Sequence, residues 1–520
     1  MSENASMSFA HRRALHRALH QILLGLSLAG VLLLSARAHM GADTWWHLRT
    51  GAWIWEHRQL PDVDLFSYTR AGTPWSPPGW PVQVLFYGLV RVAGYGALNV
   101  WTAFMVLLTY GVVARTMRGG PYLRALALIL AALTGSLYQA ARPYMVTTLF
   151  TALFLWALET WYQGTGRSQR LFLLVALMAL WGNVHAGFLT GFLVWGCYWL
   201  AALVEAGTRP TARAWDRVRT LSGLGVGLVL ASWLNPQGPA LWAYPWKTLR
   251  LEHLRWIQEW QAPDFTQPET WPFVAWWVLM LLVLGTGGPS WRWRHGLLWL
   301  AFGLMSFRAV RNIALFAVVA PVVWTAYARP WWSRRRKGLA RWWDACKGRV
   351  AWLKRRFRPR PGTPPPPVRP RLNRTLVALA WGLALLRLVQ VSTPAAMDAH
   401  LARTFPVAPV AYLKVLRPPG RLFNSYNWGG YLLWALPEYP VFIDGRTDLY
   451  GDAYLRLWAR VATAEPGWER VLSEYDIGVV LLEPHWPLAR VLPYAGWREV
   501  YRDDRSVLFL RPEQGPYPAR

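Results

Sequence analysis

The side chains of this sequence that can do chemistry are Asp43, His47, Arg142, His185, Glu259, Arg308 and Arg311. Asp43 and His47 lie one helical turn apart in ADTWWHLRTGAWIWEH, so a helix there points both into one cavity. A carboxylate so placed can take a proton from an attacking hydroxyl; capping its own helix is the competing reading. Arg142, in QAARPY, stands between two apolar blocks with few acids near it in sequence, a costly position unless it meets an anion or snorkels to the surface. Arg308 and Arg311, in SFRAVRN, are three apart and are expected to share a helix face, where two guanidinia can neutralise a doubly charged phosphate. His185 in WGNVHAGF and Glu259 in IQEW are further candidates for the site, with helix packing an equal alternative for His185. A divalent cation needs two or more oxygen ligands. No acidic cluster accompanies Asp43 in sequence, so no cofactor and a metal-independent reaction are expected.

These residues need a scaffold, and the composition names its kind. Hydrophobic residues make up 54% of the chain and charged ones 16%, with the apolar residues gathered in long blocks, which excludes an ordinary soluble enzyme. The net charge of +29 is held in short segments between those blocks, which suits contact with anionic membrane lipids and argues against nucleic acid. Many of the 37 Trp flank the blocks, where an amphipathic ring anchors a helix at the headgroup layer. Cys197 and Cys346 form no disulfide framework or metal-binding spacing.

The blocks near 21–36, 96–114, 121–139, 144–162, 171–184, 188–204, 220–234, 271–287, 295–307, 312–328 and 373–391 predict a polytopic α-helical membrane protein with about eleven transmembrane helices. Arg12, Arg13 and Arg17 place the N-terminus (1–20) in the cytoplasm. Arg115, Arg118, Arg124, Arg167, Arg170, the run 209–219, Arg292 and Arg294 mark later inside loops. Residues 21–328 form the transmembrane domain, whose first outside loop, 37–81, is expected to carry a helix lying in the membrane interface. In the second half of that loop, Pro61, Asp62 and Asp64 break the helix and serve structure only. Residues 329–372, with RRRK and GTPPPP, read as a basic, Pro-rich cytoplasmic linker, and 373–391 as the last span.

Residues 392–520 are less apolar and read as a separate extracytoplasmic α/β domain. RLFN, PVFID, IGVVLLE, WREVY and SVLFL are its strands, and 452–463 and 487–492 its helices. Asp444, Gly445 and Arg446 follow the expected strand PVFID, a place where ligands sit in open α/β sheets, although Asp444 and Asp448 read more readily as turn caps; the cluster Asn424, Tyr426, Asn427 and Trp428 reads as a turn or a sugar contact. With this topology Asp43, Arg142, His185, Glu259, Arg308 and Arg311 all face the extracytoplasmic side of a plasma (inner) membrane.

ADTWWHLRTGAWIWEH resembles the loop after the first helix in the GT-C superfamily of membrane glycosyltransferases, particularly that of oligosaccharyltransferase catalytic subunits. Asp43 is the residue that carries over. RPY at Arg142, WGNVHAGF, NPQG, IQEW and NWGGYLLW with YPVFIDGRTDLYG also resemble large multi-span bacterial proteins labelled as glycosyltransferases. The sequence departs from the superfamily in having Asp43-Thr44 where protein mannosyltransferases carry paired acids, and in lacking the acidic pair of the second outside turn. The resemblance implies transfer of a sugar from a polyprenyl-phosphate-linked donor to a glycan, lipid or protein acceptor, with inversion and with Asp43 as general base. Arg142, Arg308 and Arg311 would then hold the phosphate, and His185 and Glu259 would orient the substrate. A lipid or glycolipid transporter and a noncatalytic cell-envelope assembly protein are the competing classes.

Overall fold

Apolar runs without interior breakers become helices, and their ends fall where Gly, Pro or polar clusters stop them. The computed structural model describes residues 2–77, 79–166, 168–250, 257–286, 290–345 and 370–512. From the N-terminus run α1 (Ser2–Ser35), α2 (Ala42–His57), α3 (Trp80–Ala93), α4 (Gly96–Thr116), α5 (Pro121–Gly135), α6 (Tyr144–Tyr162) and α7 (Gln169–Val184). They are followed by α8 (Leu189–Thr208), α9 (Ala212–Ser232), α10 (Ala243–Leu249), α11 (Trp271–Gly285), α12 (Trp293–Arg308), α13 (Ile313–Ala345) and α14 (Pro370–Ser392). Among the described residues six stretches are long and apolar enough to cross a membrane: Ala18–Ser35, Gly96–Thr116, Ala186–Thr208, Pro268–Gly285, Val310–Arg335 and Arg371–Ser392. The chain is a multi-pass membrane protein. The other expected spans fold as α5, α6, α7, α9 and α12, which are shorter or more polar.

The C-terminal part holds α15 (Pro394–Thr404), α16 (Val407–Leu416), α17 (Gly429–Ala435), α18 (Thr447–Ala462), α19 (Trp468–Glu474) and α20 (Pro487–Val491). They pack around β1 (Arg421–Asn424), β2 (Ile477–Leu482), β3 (Arg498–Arg502) and β4 (Val507–Leu510). The sheet order is β1-β2-β4-β3, parallel between β1 and β2 and antiparallel elsewhere. β2 and β4 are buried throughout, whereas β3 is a half-exposed edge, as its alternating Arg, Glu and Tyr dictate.

Several expectations need correction. α2 does not lie along a lipid surface, because Trp45, Trp46, Leu48 and Ile54 are buried in protein. α3 and α17 cover the helix, and Trp45 packs edge-on against Tyr95, Phe405 and Tyr431 at 5.1–5.4 Å. PVFID forms no strand among the described residues; only Val441 bridges, in parallel, to Ser67 of the first loop. The basic linker does not begin at 329. α13 runs on to Ala345 through Pro330, because the following Arg, Lys, Leu and Ala residues are strong helix formers. The rest of the linker, 346–369, and Arg167 lie outside the described residues. Arg294 is no surface marker either: buried at the start of α12, it donates to Glu159 of α6 at 3.0 Å, alongside Tyr198 of α8 at 2.7 Å and His295 at 3.1 Å. That cluster clamps three helices at the end of α6 away from Arg142.

The C-terminal unit is stitched to the first loop. Tyr68 donates to the Leu422 carbonyl at 3.0 Å and Thr69 to that of Phe442 at 2.6 Å. Arg446, fully buried, reaches Asp64 at 2.7 Å with one terminal nitrogen and Asp444 at 2.7 Å with the other, while Tyr450 donates to Asp444 at 2.9 Å. Its guanidinium also lies 4.8 Å from the Trp75 ring. A buried ion triad is kept by its geometry, and removing one member leaves unpaired charge in the interior. Arg446→Ala is therefore expected to cost about 3–5 kcal/mol, read as a lowered Tm of the detergent-solubilised protein by tryptophan fluorescence. An unchanged Tm would show that the triad does not hold the two parts together.

Candidate functional site

Four segments distant in sequence meet at one end of the bundle. The first is the N-terminus of α2, where Gly41 is extended and Asp43 sits in the first turn without capping it. The second is the turn before α6, which Thr44 ties to α2 by donating to the Ala141 carbonyl at 3.0 Å. The third is the single 3-10 turn Gln258–Trp260, and the fourth the turn Val310–Asn312, joined to it by the bond from Val310 N to the Gln261 carbonyl at 2.9 Å.

Arg142 is the hub. Its Nη1 lies 3.3 Å from Asp43 Oδ2 and 2.8 Å from Glu259 Oε2. The other oxygen of Glu259 accepts from Arg311 at 2.9 Å, so one carboxylate bridges two guanidinia. Arg311 in turn stacks over Trp260 at 4.3 Å and receives a bond from Tyr144 OH to its carbonyl at 2.9 Å. These four side chains keep 21–28% of their exposure, so the cluster lines a cleft that a ligand can enter. Arg142 Nε is buried and has no acceptor among the described residues. A buried orphan N–H is costly and marks a place where an acceptor is wanted.

His47 and His185 stand behind the charges. His47 is buried against the Trp46 ring, and its Nδ1 accepts from Gln83 at 3.1 Å. His185 Nδ1 accepts from Gly187 N at 2.9 Å and contacts Thr147 at 2.9 Å. Burial lowers both imidazoles, that of His185 to about 3, so both are neutral at physiological pH and each leaves Nε2–H to donate. Burial also raises Asp43 above the usual aspartate value, against the pull of Arg142. Burial would raise Glu259 too, but Arg311 and Arg142 outweigh it and hold that carboxylate below its usual value. Two carboxylates thus have divergent basicities, the pattern in which one can act as base while the other stays charged.

The structure therefore brings together Asp43, His47, Arg142, His185, Glu259 and Arg311, and leaves out Arg308. The expected shared helix face does not exist, because α12 ends at Arg308 and Ala309 is extended (φ −150, ψ 124), turning the chain so that only Arg311 reaches Glu259. Arg308 stays exposed. The view of Arg142 as short of acidic neighbours is also corrected, since both of its acids come from remote segments.

Sequence reasoning missed the wall supplied by the C-terminal unit. Gly445 presses on Asp43 so closely that a methyl group in its place would overlap the carboxylate. Asp448 accepts from Trp75 Nε1 at 3.1 Å and from Tyr244, which ties the C-terminal unit to the first loop and to α10. The DGRTD run offered the only signal. Among the described residues no three His, Cys, Asp or Glu side chains converge. Asp43 and Glu259 both face guanidinium groups, a donor set made for an anion more than for a divalent cation.

No family model matches the chain, and no curated protein matches it by sequence. Solved structures do. The archaeal oligosaccharyltransferase AglB from Archaeoglobus fulgidus, solved with an inhibitory peptide and a dolichol-phosphate, aligns at TM-score 0.51 and 12% identity over 95% of this chain and 74% of its own. ArnT from Cupriavidus metallidurans in the apo state gives 0.44 and 15% over 94% and 97%. The mycobacterial arabinofuranosyltransferase AftD gives 0.44 and 15% over 94% and 40%. AglB is a glycosyltransferase of the GT-C fold, and its alignment shows that this chain has that fold.

The bridging carboxylate makes a signed prediction. Glu259→Gln removes the charge that occupies both arginines, so phosphate added in solution should bind at least about tenfold more tightly, roughly 1.4 kcal/mol, by isothermal titration calorimetry. Weaker or unchanged phosphate binding would make Glu259 a strut for the arginines instead of a competitor for them.

Proposed function

We propose that this GT-C-fold protein is a membrane glycosyltransferase that moves a sugar from a polyprenyl-phosphate-linked donor to an extracytoplasmic acceptor. In this reading it resides in the plasma (inner) membrane with its N-terminus in the cytoplasm and residues 392–520 outside. The observation that carries the reading is the bridge Arg142–Glu259–Arg311 beside Asp43: two guanidinia held apart by a carboxylate, next to a second carboxylate of raised basicity. A phosphate has the charge and the oxygen geometry to take the place of Glu259 between those arginines. AglB, which has the same fold, was solved with a dolichol-phosphate, a polyprenyl phosphate without a sugar.

The donor phosphate engages Arg142 and Arg311, and Arg142 turns from Asp43 toward it. Asp43 then loses its counter-charge and becomes a better base. It takes the proton of the acceptor hydroxyl, the acceptor oxygen bonds to the anomeric carbon, and the bond from that carbon to the phosphate oxygen breaks with its electron pair left on the phosphate. One displacement inverts the anomeric centre. The charge gained by the leaving phosphate is met by guanidinia already in position, which is where preorganised electrostatics act most strongly. Neutral His47 and His185 offer donors to sugar hydroxyls, and Glu259 guides the acceptor once released. Gly445, having no side chain, lets the Asp43 carboxylate pack against the C-terminal unit.

The test is turnover of a polyprenyl-phosphate sugar in liposomes. Asp43→Asn keeps the shape and removes the base, and kcat should fall by about 10²–10⁴-fold with Tm unchanged. In the wild type, rate should be lost as pH falls through the raised value of Asp43, since the base must be unprotonated; the acid limb therefore lies above the ordinary aspartate range. Near-normal turnover by a folded Asp43→Asn protein removes Asp43 as base and returns weight to a transporter or an assembly protein.

A further inference from the structure

A second polar cavity lies on the other flank of α2 and is unrelated to the arginine bridge. α4 and α14 are two of the helices able to cross a membrane, and their ends meet where a methyl group on Gly96 would overlap the Ser392 carbonyl. Tyr95 immediately precedes α4, so it stands at the level where these spans leave the apolar core. Beside it opens a cavity of about 550 Å³ between α16 and α17. Its aromatic wall is Tyr95, Tyr431 and Trp434, and its rim carries Lys414 and Arg417 against the single acid Glu438. Trp45 separates it from the first cleft: this ring packs on Tyr95 and Tyr431, while neighbouring Trp46 donates to Asp43 at 3.3 Å.

The chemistry of the lining is that of a lipid headgroup. Trp434 spends its N–H on Tyr95 OH at 2.8 Å, so its polar atom is satisfied and its ring offers apolar surface to the cavity. Arg417 takes a left-handed backbone (φ 43), unusual for a side chain of its size, and its Nε donates to the Lys414 carbonyl at 3.3 Å. Both cationic residues line the cavity. Between them Val415 is 84% exposed, and Val92, three residues before Tyr95, is 87% exposed. One bare valine in the same turn as the two cations and another just before Tyr95 are poorly placed in water and well placed at a bilayer surface.

We propose that this cavity binds the headgroup of an anionic phospholipid from the leaflet bordering this end of the bundle. The phosphate pairs with Lys414 and Arg417, and the glycerol and first acyl carbons lie over Tyr95, Leu401 and Trp434, with Val92 and Val415 in the bilayer surface. Through Tyr431 and Trp45 the bound lipid braces the helix that bears Asp43.

The test uses the full chain in detergent micelles and native mass spectrometry, with phosphatidylglycerol and phosphatidylcholine added in parallel. The wild type should retain one phosphatidylglycerol about tenfold more strongly than phosphatidylcholine. The double variant Lys414→Gln, Arg417→Gln, exposed at both positions, should lose that preference with an unchanged Tm, and Val415→Glu should lower retention while keeping both cations. Glycerol 1-phosphate should not displace the lipid. An unchanged preference in the double variant overturns the proposal, and so does glycerol 1-phosphate binding as tightly as the lipid, which would make this a site for a free phosphate.

Discussion

One guanidinium holds this site together. Arg142 faces two carboxylates, one from the start of α2 and one from a turn 117 residues further along the chain, and it is these charges that make the four segments a single cleft. Each member is costly where it stands: a half-buried cation between two helices, and acids removed from bulk water. Their mutual neutralisation permits the arrangement, and it also makes the arrangement exchangeable, because an incoming anion can replace one of the acids at little electrostatic cost. Glu259 is suited to that replacement, since both of its oxygens are committed to arginines and none to its own turn.

The rest of the structure keeps that cleft in register. Arg446 locks Asp64 of the first loop to Asp444 of the C-terminal unit, and so holds Gly445 against Asp43. At the other end of α6 the Glu159 cluster fastens α8 and α12 to the helix that follows Arg142. Since α12 leads into the Arg311 turn, both arginines stand on elements fixed at their far ends. A rigid frame with a replaceable ion pair is what preorganised stabilisation of a leaving group requires.

Much of this was legible from residue type and order. Blocks of apolar residues announce the helices, and Asp43 is conspicuous as an acid just beyond the first of them. Four of the five strands expected in the C-terminal unit are present, because β2 and β4 are continuous apolar runs. What stayed hidden is pairing across long separations: nothing near Arg142 or Arg311 reveals that Glu259 joins them, and Asp448 in DGRTD looks like a turn residue until Trp75 and Tyr244 reach it. Arg308 was misjudged because three-residue spacing implies a shared face only while the helix continues, and Ala309 ends it. α2 looked like a surface helix since nothing in its own pattern distinguishes lipid from the covering helices α3 and α17.

In the proposed function the two arginines hold a donor phosphate in the place now taken by Glu259. A structure of the full chain with polyprenyl phosphate bound, determined by electron cryomicroscopy, tests it most directly. Phosphate density is expected between Arg142 and Arg311, with the Glu259 carboxylate withdrawn from both and Asp43 no longer paired with Arg142. Phosphate bound elsewhere while Glu259 still bridges the two guanidinia would contradict it.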